Sequence, residues 1–356
     1  VSGRLKLRRG VVVGEEPLTV EVDGEHRPAW ADTVLLGEMR EGDEVVVNVA
    51  ALDLGLGSGG FDVVHVNLTR GLEAGAPPGA EHVIKLNYTS LQHAVDPAEL
   101  PVRFMRDITG KGAPERPSEA IPVLVLPLHG HLAPAAWAAA QVAPDAKVGY
   151  VQTGGGALPG SLSRDVAELC RRGLLCGHIT AAPAYGGEHE AISTAGALDA
   201  AARRLNWDAV IAGPGPGIIG SDTALGHGGM AALDTAHTSL ALGFPTLLSP
   251  RLSGADPRDR HRPVSHHTLT VMELLLGEVE VPTPAGEQDP LATLTVAAGT
   301  HHRIREVPTD LSGYTSSNLP TRTMGRTIDE DPLFFAAALA SGQALGESSA
   351  GGAGVG

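Results

Sequence analysis

The stretch Trp207–Ala231, WDAVIAGPGPGIIGSDTALGHGGMA, decides how the rest of the chain is read, because an apolar run breaks into glycines where a helix should begin. Ala209 to Ala212 predicts a short buried strand. Gly213, Gly215, Gly217 and Gly220 then turn the chain, and Ser221, Asp222 and Thr223 offer three helix caps. Glycines lack a Cβ, so backbone N–H groups can approach a ligand closely, and a helix amino terminus favours negative charge. The expectation is a strand of a parallel sheet that feeds a pocket for an anion.

Outward from that stretch, strand and helix alternate. Strands are expected at Ile121–Leu126, Lys147–Gln152, Cys176–Ala181, Ala209–Ala212 and Thr246–Ser249. Each leads into a helix, expected over Ala133–Val142, Ser161–Arg172, Glu188–Leu205, His227–Leu242 and His266–Leu276. Five such units in succession predict an α/β fold with a parallel, Rossmann-like, doubly wound sheet covered on both faces. Val279–Val281 and Leu291–Ala298 read as late strands, and Asp331–Leu345 as a terminal helix opened by Asp329 or Asp331.

Ahead of this domain the pattern is different. Val11–Val13, Leu18–Val22, Thr33–Leu36, Glu44–Val49 and Phe61–Val66 are short runs between turns such as Asp23-Gly24 and Glu41-Gly42-Asp43, and none has helical period. They predict a small all-β, barrel-like domain. The division is therefore 1–72 for the β-domain, 73–81 for a linker, 82–328 for the α/β domain, 329–345 for the terminal helix and 346–356 for a disordered tail. Leu54–Gly60 reads as a flexible turn, and Arg106–Glu119 as a loop that covers the site or moves.

With 42% hydrophobic and 19% charged residues among 356, the composition is that of an ordinary globular protein. A formal charge of -15 argues against partners that are nucleic acid or an anionic membrane, which need clustered Lys and Arg. The basic run Arg4, Lys6, Arg8 and Arg9 reads as decoration of an edge strand. Cys170 and Cys176 are too few for a disulfide framework and fit buried thiols in a reducing cytoplasm. Ala120–Pro144 lacks charge, but Pro122, Pro127, His129, Gly130, His131 and Pro134 break it up as a transmembrane span. Val11–Val13 is far shorter than the apolar core of roughly 7 to 15 residues that a secretory signal needs, so a cytoplasmic location is expected. A homo-oligomer stays open.

Ligands of an open parallel sheet bind beyond the carboxyl ends of the strands. The unusual residues of this chain fall there: LHGHLAP (Leu128–Pro134), TGGGALPGS (Thr153–Ser161), GPGPGIIGS (Gly213–Ser221) and SPRLSGADPRDRHRPVSHHT (Ser249–Thr268). Candidate catalytic residues are His129, His131 and His227. On extended backbone His129 and His131 would point the same way, as a pair of metal or phosphate ligands would. A metal needs a further ligand, and His227, Asp234, His237, His266 and His267 have no fixed spacing that selects one, so no metal ligand is assigned. Gly154, Gly155, Gly156, Gly213, Gly215, Gly217, Gly220, Ser221 and Arg251 are the candidate binding residues for a small anionic ligand.

Gly215, Gly217 and Gly220 match G-x-G-x-x-G, but Pro214 and Pro216 stiffen the loop and no acidic residue ends the next strand, which argues against NAD. No cofactor is identified. Arg258, Arg260, His261 and Arg262 form a local positive cluster that suits either a solvated loop or an anion site. Ser161, Ser163 and Ser221 read as caps, and no nucleophile elbow or Walker motif is present.

In series, LGLGSGG, KLNYTSLQHA, LPLHGHLAPA, TGGGALPGSLS, GPGPGIIGSDTALGHGGMAALD and RHRPVSHHT resemble the bacterial, mainly actinobacterial, family catalogued as domain of unknown function 3866, from about Gly10 to Pro282. The resemblance implies a cytoplasmic protein of this size and carries over no catalytic residue. Two functions follow from the residues: an enzyme acting on a phosphorylated or carboxylated small molecule, or a noncatalytic metabolite sensor or assembly module using the same pocket.

Overall fold

A computed structural model of the chain describes residues 3–55, 59–72, 83–99 and 120–352. It separates into two compact units, Val1–Glu81 and His82–Gly356. The expected linker 73–81, the loop Arg106–Glu119 and residues 56–58 of the glycine turn lie outside the described residues.

The first unit is a closed barrel of β1 (Leu7–Glu15), β2 (Leu18–Val22), β3 (Glu25–Trp30), β4 (Glu44–Asn48) and β5 (Asp62–Asn67), in the order β1-β2-β3-β5-β4. Alternate side chains fill it: Val20 and Val22 on β2, Val45 and Val47 on β4, with Val12, Val49 and Val64. β1 pairs with β4 over Leu7–Val11 and with β2 only from Val11 onward, so Arg8 and Arg9 at its start have a strand partner on the β4 side alone. Thr33–Leu36, expected as a strand, is a single helical turn, α1, because the Asp32 carboxylate accepts from Val34 N and caps it. A second short turn, α2 (Ala50–Asp53), follows β4.

One end of the barrel is tied by a buried carboxylate. Asp43 accepts from Asn67 Nδ2 at 2.9 Å and from Arg70 Nε at 2.8 Å. The Arg70 guanidinium, helped by Asn67 and the Arg40 N–H against the cost of burial, holds the Asp43 carboxyl down at about 2. A depressed carboxylate stabilises above its unfolded value near 3.8 and loses that contribution as pH falls through about 2. Amide exchange in β4 and β5 should therefore accelerate between about pH 4 and about pH 2. Asp43→Asn should exchange faster at pH 7 and show a flatter response to acid. An unchanged acid profile in that variant would remove Asp43 from the account.

The second unit begins with a hairpin, β6 (Val83–Lys85) and β7 (His93–Val95), and continues into an eight-stranded, all-parallel sheet. Its strands are β8 (Val123–Val125), β9 (Val148–Thr153), β10 (His178–Ala181), β11 (His189–Ala191), β12 (Ala209–Pro214), β13 (Thr246–Leu248), β14 (Glu280–Pro284) and β15 (Arg303–Val307). The order is β11-β10-β9-β12-β8-β13-β14-β15. The fold is thus an α/β parallel-sheet unit preceded by a barrel, as the alternation of runs predicts.

Helices α3 (Leu132–Val142), α4 (Arg164–Arg171), α5 (Thr194–Arg203), α6 (Ala231–Ala241), α7 (His266–Leu274), α8 (Gln288–Ala298), α9 (Leu311–Thr315) and α10 (Pro332–Gly352) cover the sheet. Two apolar clusters result, one around Val123, Val151, Val210 and Leu248, the other around Leu124, Tyr150, Ile211, Phe334 and Phe335. Neighbouring positions of a strand therefore feed opposite cores, which is why these strands read as continuous apolar runs. Among the described residues no helix is long and apolar enough to cross a membrane.

Four expectations change. The helix expected over Glu188–Leu205 divides: His189–Ala191 pairs with β10 as an edge strand, and the helix starts only where the Ser193 hydroxyl accepts from Gly196 N. Leu291–Ala298, expected as a strand, belongs to α8, whose buried residues Pro290, Leu294 and Ala298 recur every fourth position. The tail expected to be disordered from Gly346 is helical to Gly352. Its small residues are the reason: a Cβ at Gly342 or Gly346 would lie 2.1 or 2.7 Å from the carbonyl oxygens of Ala135 and Ala139 on α3, so the two backbones are in close contact. Of the cysteines expected to be buried, Cys176 is exposed.

Candidate functional site

β8 lies between β12 and β13, the chain having moved to one side through β9, β10 and β11 and to the other through β14 and β15. The loops after β12 and β13 consequently flank the end of β8, the place where a parallel sheet leaves a crevice at its carboxyl edge.

The rim glycines hold these loops together. Ala157 N donates to Pro216 O at 2.7 Å. A Cβ on Gly156 would stand 2.1 Å from Gly215 O, one on Gly215 2.3 Å from Ala157 O, and one on Gly228 1.9 Å from Gly155 O. Gly154 abuts Pro183, Gly213 abuts Leu126, and Gly220 sits over His227. Gly217, at φ +76°, turns the chain in open space. The loops after β9 and β12 thus approach as closely as backbone allows, and most of the candidate binding glycines face another loop.

Ser221, Asp222 and Thr223, read as possible caps, do not open the helix. Ser221 instead closes a loop, donating from Oγ to Gly226 O at 2.9 Å, and Gly220 bridges His227. A 3-10 turn, Gly228–Met230, leads into α6, which begins at Ala231, four residues after the expected start at His227. Ser163 does cap its helix, accepting from Val166 N at 3.1 Å.

His129 and His131 stand in a 3-10 turn, not on extended backbone, so they diverge. His129 donates from Nδ1 to Pro214 O (3.3 Å), and its Nε2 therefore accepts from the Ser163 hydroxyl (2.8 Å). This ring ties the loop after β8 to the end of β12 and the start of α4. His131 turns the other way, with Nδ1 2.9 Å from Ser249 Oγ and its ring edge against Phe334 of α10. Burial pushes both imidazoles down, His131 to about 3, so both are neutral at pH 7.

The third candidate, His227, enters a separate cluster with His261, His266 and His267. The His227 and His267 rings stack at 3.5 Å, His266 lies edge-on to both, and His261 is 5.0 Å from His267. Burial, then the charge of neighbouring groups, depresses all four, His261 to about 3 and His267 to about 2. His227 Nε2 donates to Ala224 O at 3.0 Å, which leaves Nδ1 as a bare lone pair; it is buried and has no partner among the described residues.

Arg251 borders this cluster. Its Nη1 is 3.4 Å from His267 Nδ1, its Nη2 is 3.2 Å from Asp256, and its buried Nε has no partner among the described residues. Asp256 also accepts from Arg258 Nε (2.9 Å) and Arg326 Nη2 (3.4 Å), and Arg326 reaches Asp331 (3.0 Å). Burial works against ionisation of Asp256, but the Arg258 bonds and the surrounding guanidinium charge outweigh it and hold the carboxyl below the usual range. Burial lowers Arg251 to about 10, still a cation at neutral pH. Three guanidinium groups therefore share two carboxylates in a chain that is acidic as a whole.

Sequence reasoning reached His227, Arg251 and the Arg258–Arg262 cluster but did not join them. It missed Arg326 and Asp331, which stand 70 and more residues from their partners Asp256 and Ser253. Asp234 and His237 lie elsewhere on α6; His237 Nε2 accepts from Leu276 N. A cleft of 410 Å³ lies at the opposite, amino-terminal edge of the sheet, between Phe244, Thr246, Val279 and Arg303. It contains no imidazole, and Arg303 there is paired with Glu280.

A family model described as protein of unknown function (DUF3866) matches residues 29–342. No curated protein and no solved structure gives a match.

Proposed function

The chain belongs to the DUF3866 family, and from that premise we propose that it is an enzyme taking a phosphorylated or carboxylated small molecule at the carboxyl edge of its parallel sheet. The observation that carries this reading is the juxtaposition of the buried Arg251 guanidinium with the neutral imidazoles of His227 and His267 above the end of β8. Arg251 would bind the anionic group, since charge-assisted bonds gain strength where water is excluded. His227, neutral and with an unshared pair on Nδ1, would accept a proton from the bound molecule. His129 and His131 would act through position, fixing the loops around the crevice. The reading keeps the protein in the cytoplasm with a small-molecule partner.

A second reading, a noncatalytic metabolite sensor, is supported by one observation: the interlocked rim glycines leave little backbone free for a transferring group. Thermal-shift screening of the full chain against sugar phosphates, nucleotides and dicarboxylates should find a stabilising anion. Arg251→Gln should weaken its binding by roughly 10- to 100-fold, while Arg303→Gln at the opposite edge should leave it unchanged. Turnover of that anion, followed by NMR, decides between enzyme and sensor. No stabilising anion, or full binding by Arg251→Gln, defeats both.

A further inference from the structure

We infer that His227, His266 and His267 form a binding site for one divalent transition-metal ion of the zinc type. Each of the three offers a ring nitrogen, and these nitrogens lie within 4.8 Å of one another. Three imidazoles around a zinc ion at ~2.0–2.1 Å would hold their nitrogens about 3.3 Å apart, so closure requires movements on the order of 1 Å. Three protein ligands with a fourth position open is the arrangement that leaves a bound ion accessible to an anion. Imidazole nitrogen in turn favours zinc, copper or nickel over magnesium or calcium.

Four features point to a cation and not to a satisfied cluster of histidines. The first is His227 Nδ1, a lone pair more than nine-tenths buried, which the Nε2–H bond to Ala224 O prevents from carrying the proton. Fixing one imidazole nitrogen by a backbone carbonyl so that the other faces the metal is the usual outer support of a histidine ligand. The second is Gly229. A Cβ there would stand 3.0 Å from His227 Nδ1 and 3.3 Å from His267 Nδ1, so both nitrogens border a small volume that only glycine keeps clear.

The third is the support of the helix that carries two of the ligands. Ser265 caps α7 by accepting from His267 N, and its hydroxyl is 2.7 Å from His261 Nδ1, which fixes the start of that helix. The fourth is the chemistry of the set: three imidazole rings with centroids within 5.6 Å of one another offer the nitrogen donors that a zinc-type ion takes. His227 and His267 are stacked with their planes 8° apart, and one ion cannot lie in both planes. Binding therefore turns at least one ring, and the space beside Gly229 permits it. The 3.4 Å contact from Arg251 to His267 Nδ1 is long for a hydrogen bond and yields easily to that rotation. Arg251, balanced by Asp256, would then stand beside the open position and hold an anionic fourth ligand.

The site deepens the proposed anion site, since it rests on the same crevice; with an ion bound, His227 Nδ1 is a ligand and no longer the proton acceptor, and the site is tested with metal alone. Full-length protein stripped with a chelator should take up one equivalent of Co²⁺, with the visible absorption of a four-coordinate ion, and Zn²⁺ should displace it. His266→Ala, the least buried of the three, should lower Co²⁺ affinity by ~100-fold or more. Gly229→Ala should weaken it as well, and His237→Gln on α6, outside the cluster, should as a control bind as the unaltered protein does. Thermal unfolding of the metal-free forms separates lost ligation from lost folding: His266→Ala should unfold at the same temperature as metal-free wild type. Absence of stoichiometric binding, or binding that survives both His266→Ala and His227→Ala, overturns the site. An anion that still binds metal-free protein through Arg251 would leave the proposed function standing without it.

Discussion

Asp256→Ala is expected to destabilise the second unit by about 3–5 kcal/mol, because it leaves a buried guanidinium without its partner. Asp256 is fully buried and accepts from Arg251, Arg258 and Arg326. Arg258 is half exposed and can return to water, so its share of the loss is small. Arg251 cannot: its side chain is 6% exposed, and burial has already lowered its proton affinity. Urea unfolding of the full chain gives the free energy. A double variant, Asp256→Ala with Arg251→Met, removes the stranded charge along with its partner and should recover a good part of the loss. If Asp256→Ala stays within about 1 kcal/mol of wild type, the cluster is not a coupled network.

Gly342→Ala should also destabilise, by a smaller amount, though helix propensity alone favours alanine by about 1 kcal/mol. The sign is decided by the neighbour. The new Cβ would lie 2.1 Å from Ala135 O, and that atom belongs to the backbone of α3, so no rotamer can relieve it. The two helices must separate, opening the core around Leu132, Phe335 and Leu339. Overpacking of this kind costs roughly 1–3 kcal/mol and sometimes more, which exceeds the propensity gain. Gly277→Ala is the contrast: its Cβ would meet only the movable tip of Leu240 at 3.0 Å. A thermal midpoint for Gly342→Ala at or above that of wild type would refute the close approach of α3 and α10.

How far the chain can be read without coordinates depends on where each segment buries its side chains. The central strands were legible because parallel strands covered on both faces have no polar side to hide their apolar runs, as VGYVQT and AVIAGP show. β15, with the sequence RIREV, sits at the sheet edge with most of its side chains half exposed or open, and nothing in it announces a strand. LTV within α8 carries β-branched residues that imitate one, whereas the helix buries only every fourth position. The rim was legible as a set of loops, since topology alone sends them to one edge. Which histidines meet was not, because His227 and His267 are joined by the side-by-side placement of β12, β8 and β13, and no local spacing encodes it.

The order of α10 after every strand of the sheet bears on how the protein is made. Until residues 332–352 have left the ribosome, the apolar face formed by Leu124, Tyr150 and Ile211 lacks Phe334, Phe335 and Leu339 as its cover. That face is therefore fully covered only after translation has passed the last strand of the sheet by some 45 residues (Val307 to Gly352). In that interval the nascent chain presents a sticky surface, the kind that chaperones shield during synthesis.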